Sequence, residues 1–204
     1  MNWRTLLLSP WAKPFVWLVL ALPAAWLTYA AFNDLLGANP AEALTRSTGD
    51  WTLRGLCVVL AITPLREITG TPALLRFRRA LGVSTFIYAC LHMLCYAWFD
   101  QGFAMDDIWR DILKRPFIWL GFGGLLAMLP LALTSFNAAI RLLGVKRWQI
   151  LHRLVYGVAV LAVLHFFWMR AGKNNFTEVW VYAAILGGLM AWRVVHWRRH
   201  AQQS

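Results

Sequence analysis

The chain has 204 residues, 60% of them hydrophobic and 14% charged, with a mean hydropathy of +0.54. A soluble domain is nearer half apolar, so the composition excludes an ordinary soluble fold and points to an all-α integral membrane protein. The net charge of +11 reads as loop charge facing the cytoplasm rather than a nucleic-acid footprint, and no nucleic-acid partner is expected.

A membrane-crossing helix needs about 20 mostly apolar residues. The first candidate, 14–32, is too long and too lightly flanked by charge for a cleavable signal peptide. The second, 51–65, is short and carries Arg54, which leaves a re-entrant segment open. Its flanks argue that it crosses. Before it, 33–50 holds Asp34, Glu42, Asp50 and a single Arg46; after it, 66–79 holds four arginines and Glu67. The third candidate, 84–99, leads to 100–115, which carries four Asp among three bases. The fourth, 117–136, is followed by Arg141, Lys146 and Arg147 with no acid. The fifth, 149–169, and the sixth, 179–195, complete the set, and Arg198 and Arg199 follow. Pro23, Pro130 and Gly157 within these segments are tolerated in a bilayer.

Positive loop charge marks the cytoplasmic side. The alternation therefore predicts six transmembrane helices with both termini cytoplasmic, in a single domain over residues 1–204. Only Glu67 of the nine acidic residues then falls on the cytoplasmic side. Thirteen Trp and twelve Phe suit aromatic belts at the two interfaces. Cys57, Cys90 and Cys95 lie in apolar runs with no C-x-x-C spacing, which argues against a zinc site and covalent haem; they read as small core residues.

Three histidines, His92, His152 and His165, lie within the third and fifth segments, where ionisable groups are uncommon and mark functional candidates. Each could instead be a neutral imidazole bridging two helices. A proton path usually needs carboxylates, which these two segments lack inside, and a zinc site usually takes four ligands. Haem b fits better, because its iron takes an axial ligand from each side and neutral imidazole serves well. His92 and His165 both fall toward the outer end of their helices and are expected to share one outer haem. His152 stands at the inner end, thirteen residues and about 20 Å before His165, with no histidine partner. Arg78 and Arg79 stand thirteen to fourteen residues before His92. A spacing of thirteen leaves about 140° between the two side chains of a straight helix, so local tightening or two differently turned haems would be needed.

Several arginines are candidate anchors for anionic groups. Arg78 and Arg79 suit haem propionates or a flavin phosphate, with topology-setting loop charge as the alternative. Arg54 could snorkel or hold an outer propionate, and Arg153 could meet an inner propionate or a lipid headgroup. Trp148 and Tyr156 read as packing aromatics rather than electron relays. His196 and the neighbouring His200 read as part of a solvated basic cluster.

The runs RALGVSTFIYACLHMLCY (79–96), TPLREITG (63–70) and LTSFNAAIRLLGVKRWQILHRLVYGVAVLAVLHFFW (133–168) resemble the MsrQ (YedZ) family, within the ferric-reductase-like transmembrane superfamily. The most specific piece is W-x-x-L-H-R-L-V-Y at 148–156. The resemblance covers nearly the whole chain. It implies a b-type cytochrome of the bacterial inner membrane, holding one or two haem b. Its electrons would pass to a periplasmic molybdopterin-dependent methionine sulfoxide reductase. The family's haem-ligand positions fall on His92, His152 and His165, and better-known superfamily members carry a second histidine where this chain has arginine. The resemblance also implies FMN, and a cytoplasmic flavin reductase or quinol as donor. No G-x-G-x-x-G fingerprint is present, so electrons are expected from a separate donor. The alternatives are a transmembrane ferric-chelate reductase, and a haem-free transporter or assembly factor using the histidines as polar helix contacts.

Overall fold

The computed structural model describes residues 3–172 and 174–201, without the side chains at 3, 4, 200 and 201; the side chain of His200 thus lies outside the described residues. The described chain is helical, with no strand. It runs α1 (Trp3–Leu8), α2 (Ala12–Phe32), α3 (Pro40–Thr69), a 3₁₀ stretch (Pro72–Phe77) and α4 (Arg78–Cys95), which continues as a π-helical turn (Tyr96–Asp100). Then come α5 (Met105–Lys114), α6 (Pro116–Leu133), α7 (Asn137–Leu143), α8 (Val145–Leu151), α9 (Leu154–Ala171) and α10 (Thr177–Ala201).

Among the described residues, five stretches are long and apolar enough to cross a membrane: Ala12–Phe32, Pro72–Asp100, Pro116–Leu133, Val145–Ala171 and Thr177–Arg199. The expected second span, α3, is not among them, although its 30 residues reach about 45 Å at ~1.5 Å per residue. The cause is its polar content: Arg54, Arg66 and Glu67 interrupt or close its apolar stretch, and its first half is polar on the inward face. Thr45, Arg46, Gly49, Asp50 and Thr52 line a cavity instead of meeting other apolar side chains, and Thr48 and Thr52 turn their hydroxyls back onto helix carbonyls at 2.8–3.0 Å.

The helix also starts earlier than the sequence suggested. Residues 40–50, expected as loop, form its first turns. Asn39 caps them: its Oδ1 accepts from the Glu42 N–H at 3.1 Å, its Nδ2 donates to Glu42 Oε2 at 3.3 Å, and Pro40 opens the first turn. Gly70, at φ 59°, closes the far end in the left-handed conformation that favours glycine. The expected loop 100–115 likewise holds α5. Ile108 and Ile112 of that helix pack on Ala97 and Ile118. Its Asp111 accepts from Tyr96 Oη (2.8 Å), Gln101 Nε2 (3.0 Å) and Arg115 Nε (2.7 Å).

Two helix pairs form the body of the bundle, α3 on α4 and α6 on α9, joined by α4 against α6 and by α10 across α3 and α9. Leu53, Leu56 and Leu60 of α3 meet Met128, Val158, Ala159, Phe166 and Leu186 in one core. The α3–α4 approach is close because position 55 is glycine; a Cβ there would stand 2.5 Å from Thr85 Oγ1. On the outside, α2 is pinned by Tyr88 of α4. Its hydroxyl accepts from Ala24 N–H (3.0 Å) and donates to Leu20 O (2.8 Å), entering the helix ladder beside Pro23.

Candidate functional site

Two cavities lie toward opposite ends of the bundle. The first, about 360 Å³, opens toward the acidic end between α3, α4, α6 and α9. His92 enters from α4 and His165 from α9, with ring centroids 6.0 Å apart and ring planes at 80°. His92 Nδ1 lies 2.8 Å from Thr45 O, and His165 Nδ1 lies 2.5 Å from Phe117 O. A carbonyl can only accept, so Nδ1 carries the proton in both rings and each Nε2 keeps its lone pair. An iron about 2 Å from each imidazole nitrogen, the usual metal–imidazole distance, would put the two centroids about 6 Å apart. The donor set therefore fits a bis-imidazole haem. Among the described residues, no group of three or more His, Cys, Asp or Glu is placed to hold a bare metal ion.

The walls are apolar, with Leu53, Leu56, Leu125, Val158 and Phe166 among them, while Glu42, Arg46, Asp50, Asp100 and Arg170 gather at the mouth. Arg46 pairs with Glu42 at 2.8 Å. Arg170 pairs with Glu178, lies over the Phe166 ring at 5.2 Å, and keeps a buried Nε with no hydrogen-bond partner. An unpartnered buried N–H beside a ligand-sized cavity suits a propionate.

The second cavity, about 310 Å³, opens toward the basic end and is lined by Arg78, Arg79, Ser135, Trp148 and His152. Trp148 packs over the His152 ring at 4.0 Å and donates its indole N–H to Thr134 O at 2.9 Å. His152 Nδ1 lies 3.0 Å from Trp148 O, and its Nε2 is buried with no hydrogen-bond partner. An orphaned imidazole nitrogen on a histidine that lines a cavity is a candidate ligand. No second histidine lines this space. Arg79 donates to Asn137 Oδ1 at 2.8 Å. Leu56, Thr85, Met128 and Val158 line both cavities, so a wall one side chain thick separates them.

The thirteen-residue spacing is resolved by a break. The stretch 145–171 is not one straight helix: α8 ends at Leu151, and His152 and Arg153 form a turn before α9. Arg153 N–H donates to Ile150 O (3.1 Å) and Tyr156 N–H to Arg153 O (3.0 Å), the three-residue reach of a tighter winding.

Not all the candidate arginines reach a cavity. Arg54 lines neither; its Nε donates to Tyr182 Oη at 3.3 Å and its guanidinium lies 4.9 Å from the Trp51 ring centroid. Arg153 is exposed and also lines neither. Arg46, Arg170, Gly49, Gly121 and the carbonyls of Thr45 and Phe117 enter the site instead, without having stood out in the sequence. Arg193 lines neither cavity and instead ties α10 to α3 and α9, donating to Leu60 O (2.7 Å) and Tyr156 Oη (3.0 Å). Asn39–Pro40–Ala41–Glu42, a helix-start signature, was the one signal that would have placed Arg46 and Gly49 on α3.

Residues 48–163 match the family model of the ferric reductase like transmembrane component. The chain is 63% identical over 194 residues to the protein-methionine-sulfoxide reductase heme-binding subunit MsrQ of Polaromonas naphthalenivorans, covering 95% of this chain and 89% of that one. The chain belongs to the MsrQ family. MsrQ of Ralstonia nicotianae is 49% identical over 189 residues (93% and 87% covered). MsrQ of Herminiimonas arsenicoxydans is 44% identical over 193 residues (94% and 88% covered). No solved structure matches the chain. The matched segment of this MsrQ-family chain takes in His92, His152 and both cavities' shared wall, and stops two residues before His165.

Proposed function

We propose that this chain is the haem b-holding membrane subunit of a protein-methionine-sulfoxide reductase system. It carries electrons from a cytoplasmic donor across the bacterial inner membrane to a periplasmic molybdopterin-dependent enzyme. The observation that carries the proposal is the opposed pair His92 and His165, 6.0 Å apart in an apolar cavity with both Nδ1–H groups already engaged. Names of the related proteins, 44–63% identical over at least 92% of this chain, support it.

The bound group supplies a one-electron ferric–ferrous couple. The chain supplies the rest. His92 and His165 hold it at one end, and the carbonyls of Thr45 and Phe117 fix their tautomers. The apolar walls exclude water, and Arg46 and Arg170 offer charge to carboxylates at the mouth. At the other end His152 offers one ligand, with Arg78 and Arg79 available for propionates or an FMN phosphate. In this reading α3 is the sixth transmembrane helix and both termini are cytoplasmic, because Arg66, Arg76, Arg79, Arg141, Lys146 and Arg147 share the basic end. That face suits a flavin reductase, and quinol can reach the same depth through lipid.

The test is a reduced-minus-oxidised spectrum and haem count on the purified chain, followed by reoxidation on adding the periplasmic partner with a methionine-sulfoxide substrate. Soret and α bands that are lost on reoxidation by that partner are expected. A folded but colourless protein, after expression with ample haem, would establish the haem-free transporter or assembly-factor alternative. The ferric-reductase-like family match favours one second reading. Reoxidation by ferric chelates but not by the molybdoenzyme would make the chain a ferric-chelate reductase.

A further inference from the structure

The two histidines of the acidic-end cavity are seated by one device used twice. His92 of α4 lies against α3, where its Nδ1 reaches the carbonyl of Thr45 at 2.8 Å. The residue four places on, on the same helix face, is Gly49. A Cβ at 49 would stand 3.0 Å from His92 Cε1 and 3.1 Å from Nδ1. His165 of α9 lies against α6, where its Nδ1 reaches the carbonyl of Phe117 at 2.5 Å. Four places on is Gly121, and a Cβ there would stand 2.8 Å from His165 Nδ1 and 2.9 Å from Cε1. Real Cβ contacts essentially never fall below 3.0 Å, so a side chain at 121 forces the His165 ring or its helix to shift, and one at 49 requires the His92 ring to give by a few tenths of an ångström. Gly123, two residues on from Gly121, has nothing within 4 Å of the same added atom, and the one glycine more crowded than these, Gly55, meets Thr85 and no ring; crowding against an imidazole is confined to Gly49 and Gly121.

We propose that Gly49 and Gly121 are positioning residues for the axial ligands. Each leaves a notch over the helix backbone, into which the ring of His92 or His165 settles so that Nδ1–H meets the carbonyl four residues back. The chain, not the cofactor, then sets the two ring planes at their 80° crossing. This rests on the acidic-end cavity being a haem site. Two consequences follow from ligand chemistry. Crossed axial imidazoles give ferric haem a strongly anisotropic low-spin EPR signal dominated by one large g value, whereas parallel rings give a rhombic three-line spectrum. A Nδ1–H donated to a carbonyl makes the imidazole a stronger donor, which stabilises ferric iron and lowers the reduction potential.

The experiment takes the full-length chain in detergent, as wild type, Gly49→Ala, Gly121→Ala and the control Gly123→Ala, and records haem content, EPR and reduction potential. The wild type and Gly123→Ala should show the crossed-ring signal. Gly121→Ala should lose it, with a raised potential or loss of that haem, and Gly49→Ala should do so more mildly because its contact is longer. Two results would overturn the proposal: a rhombic wild-type signal at this site, or both alanine variants keeping the wild-type EPR and potential. The wild-type spectrum decides even if Gly121→Ala does not fold, and Gly49→Ala supplies the second variant. A wild type without haem would remove the haem reading itself, whereas haem-loaded variants indistinguishable from wild type would remove only this inference.

Discussion

His92 and His165 face each other from α4 and α9, ring centroids 6.0 Å apart and planes at 80°, each with Nδ1 tied to a carbonyl of the next helix. As a ligand pair the two rings are expected to act together. His92→Ala and His165→Ala should each abolish the haem at the acidic end, and the double variant should lose no more than either single one, since the two act as a unit. A pyridine haemochrome assay per chain checks this; full retention in either single variant would refute the pairing.

His152 belongs to a separate space. His152 lines the basic-end cavity, its buried Nε2 has no hydrogen-bond partner, and Trp148 packs over its ring at 4.0 Å. His152→Ala should lower the haem count of a two-haem protein by about half while leaving the EPR signal of the His92–His165 pair intact. Loss of both signals together would mean that the cavities are not independent.

Charge at the acidic-end mouth should tune the potential there. Arg170 keeps a buried, unpartnered Nε beside the cavity, and Arg46 lines the same opening. Removing a positive charge favours ferric iron. Arg170→Gln and Arg46→Gln should therefore lower the potential of that haem, by an energy on the order of 1 kcal/mol. Arg54→Gln should leave it unchanged, because Arg54 turns to Tyr182 and Trp51. Redox titrations of the three variants separate these outcomes.

Tyr88 holds α2 to the bundle by placing its hydroxyl between Leu20 O and Ala24 N–H. Tyr88→Phe removes the bridge and leaves two backbone groups to find new partners in a dry setting, at a cost of about 1–3 kcal/mol. The thermal midpoint in detergent should fall, with haem content per folded chain unchanged, since Tyr88 lines neither cavity.

Much of this architecture is visible in the chain by itself. Apolar runs of the right length mark five helices able to cross a membrane, because hydrocarbon leaves no other partner for the backbone. The depths of His92 and His165 suffice to pair them, and the W-x-x-L-H-R-L-V-Y run suffices to suggest the family. Where the sequence misleads, the reason is a helix that answers to a cavity rather than to lipid. The first turns of α3 look like an acidic loop because Thr45, Arg46, Gly49 and Asp50 face inward to a polar opening.

What only the tertiary structure decides is which groups meet. Hydropathy cannot tell Arg54, turned outward to Tyr182, from Arg170, turned in beside Phe166, since both are arginines within or beside an apolar run. Nor can it see that Gly49 lies under His92 and Gly121 under His165, contacts made across helices 43 and 44 residues apart in sequence. The turn at His152 and Arg153 belongs to the same class: no glycine or proline marks it in the sequence, and it shows only where α8 ends and α9 begins. The sequence determines that these helices lie in a membrane, because transfer of each side chain from water is a local property. The site depends on close approach between distant segments, and that is a property of the packed bundle.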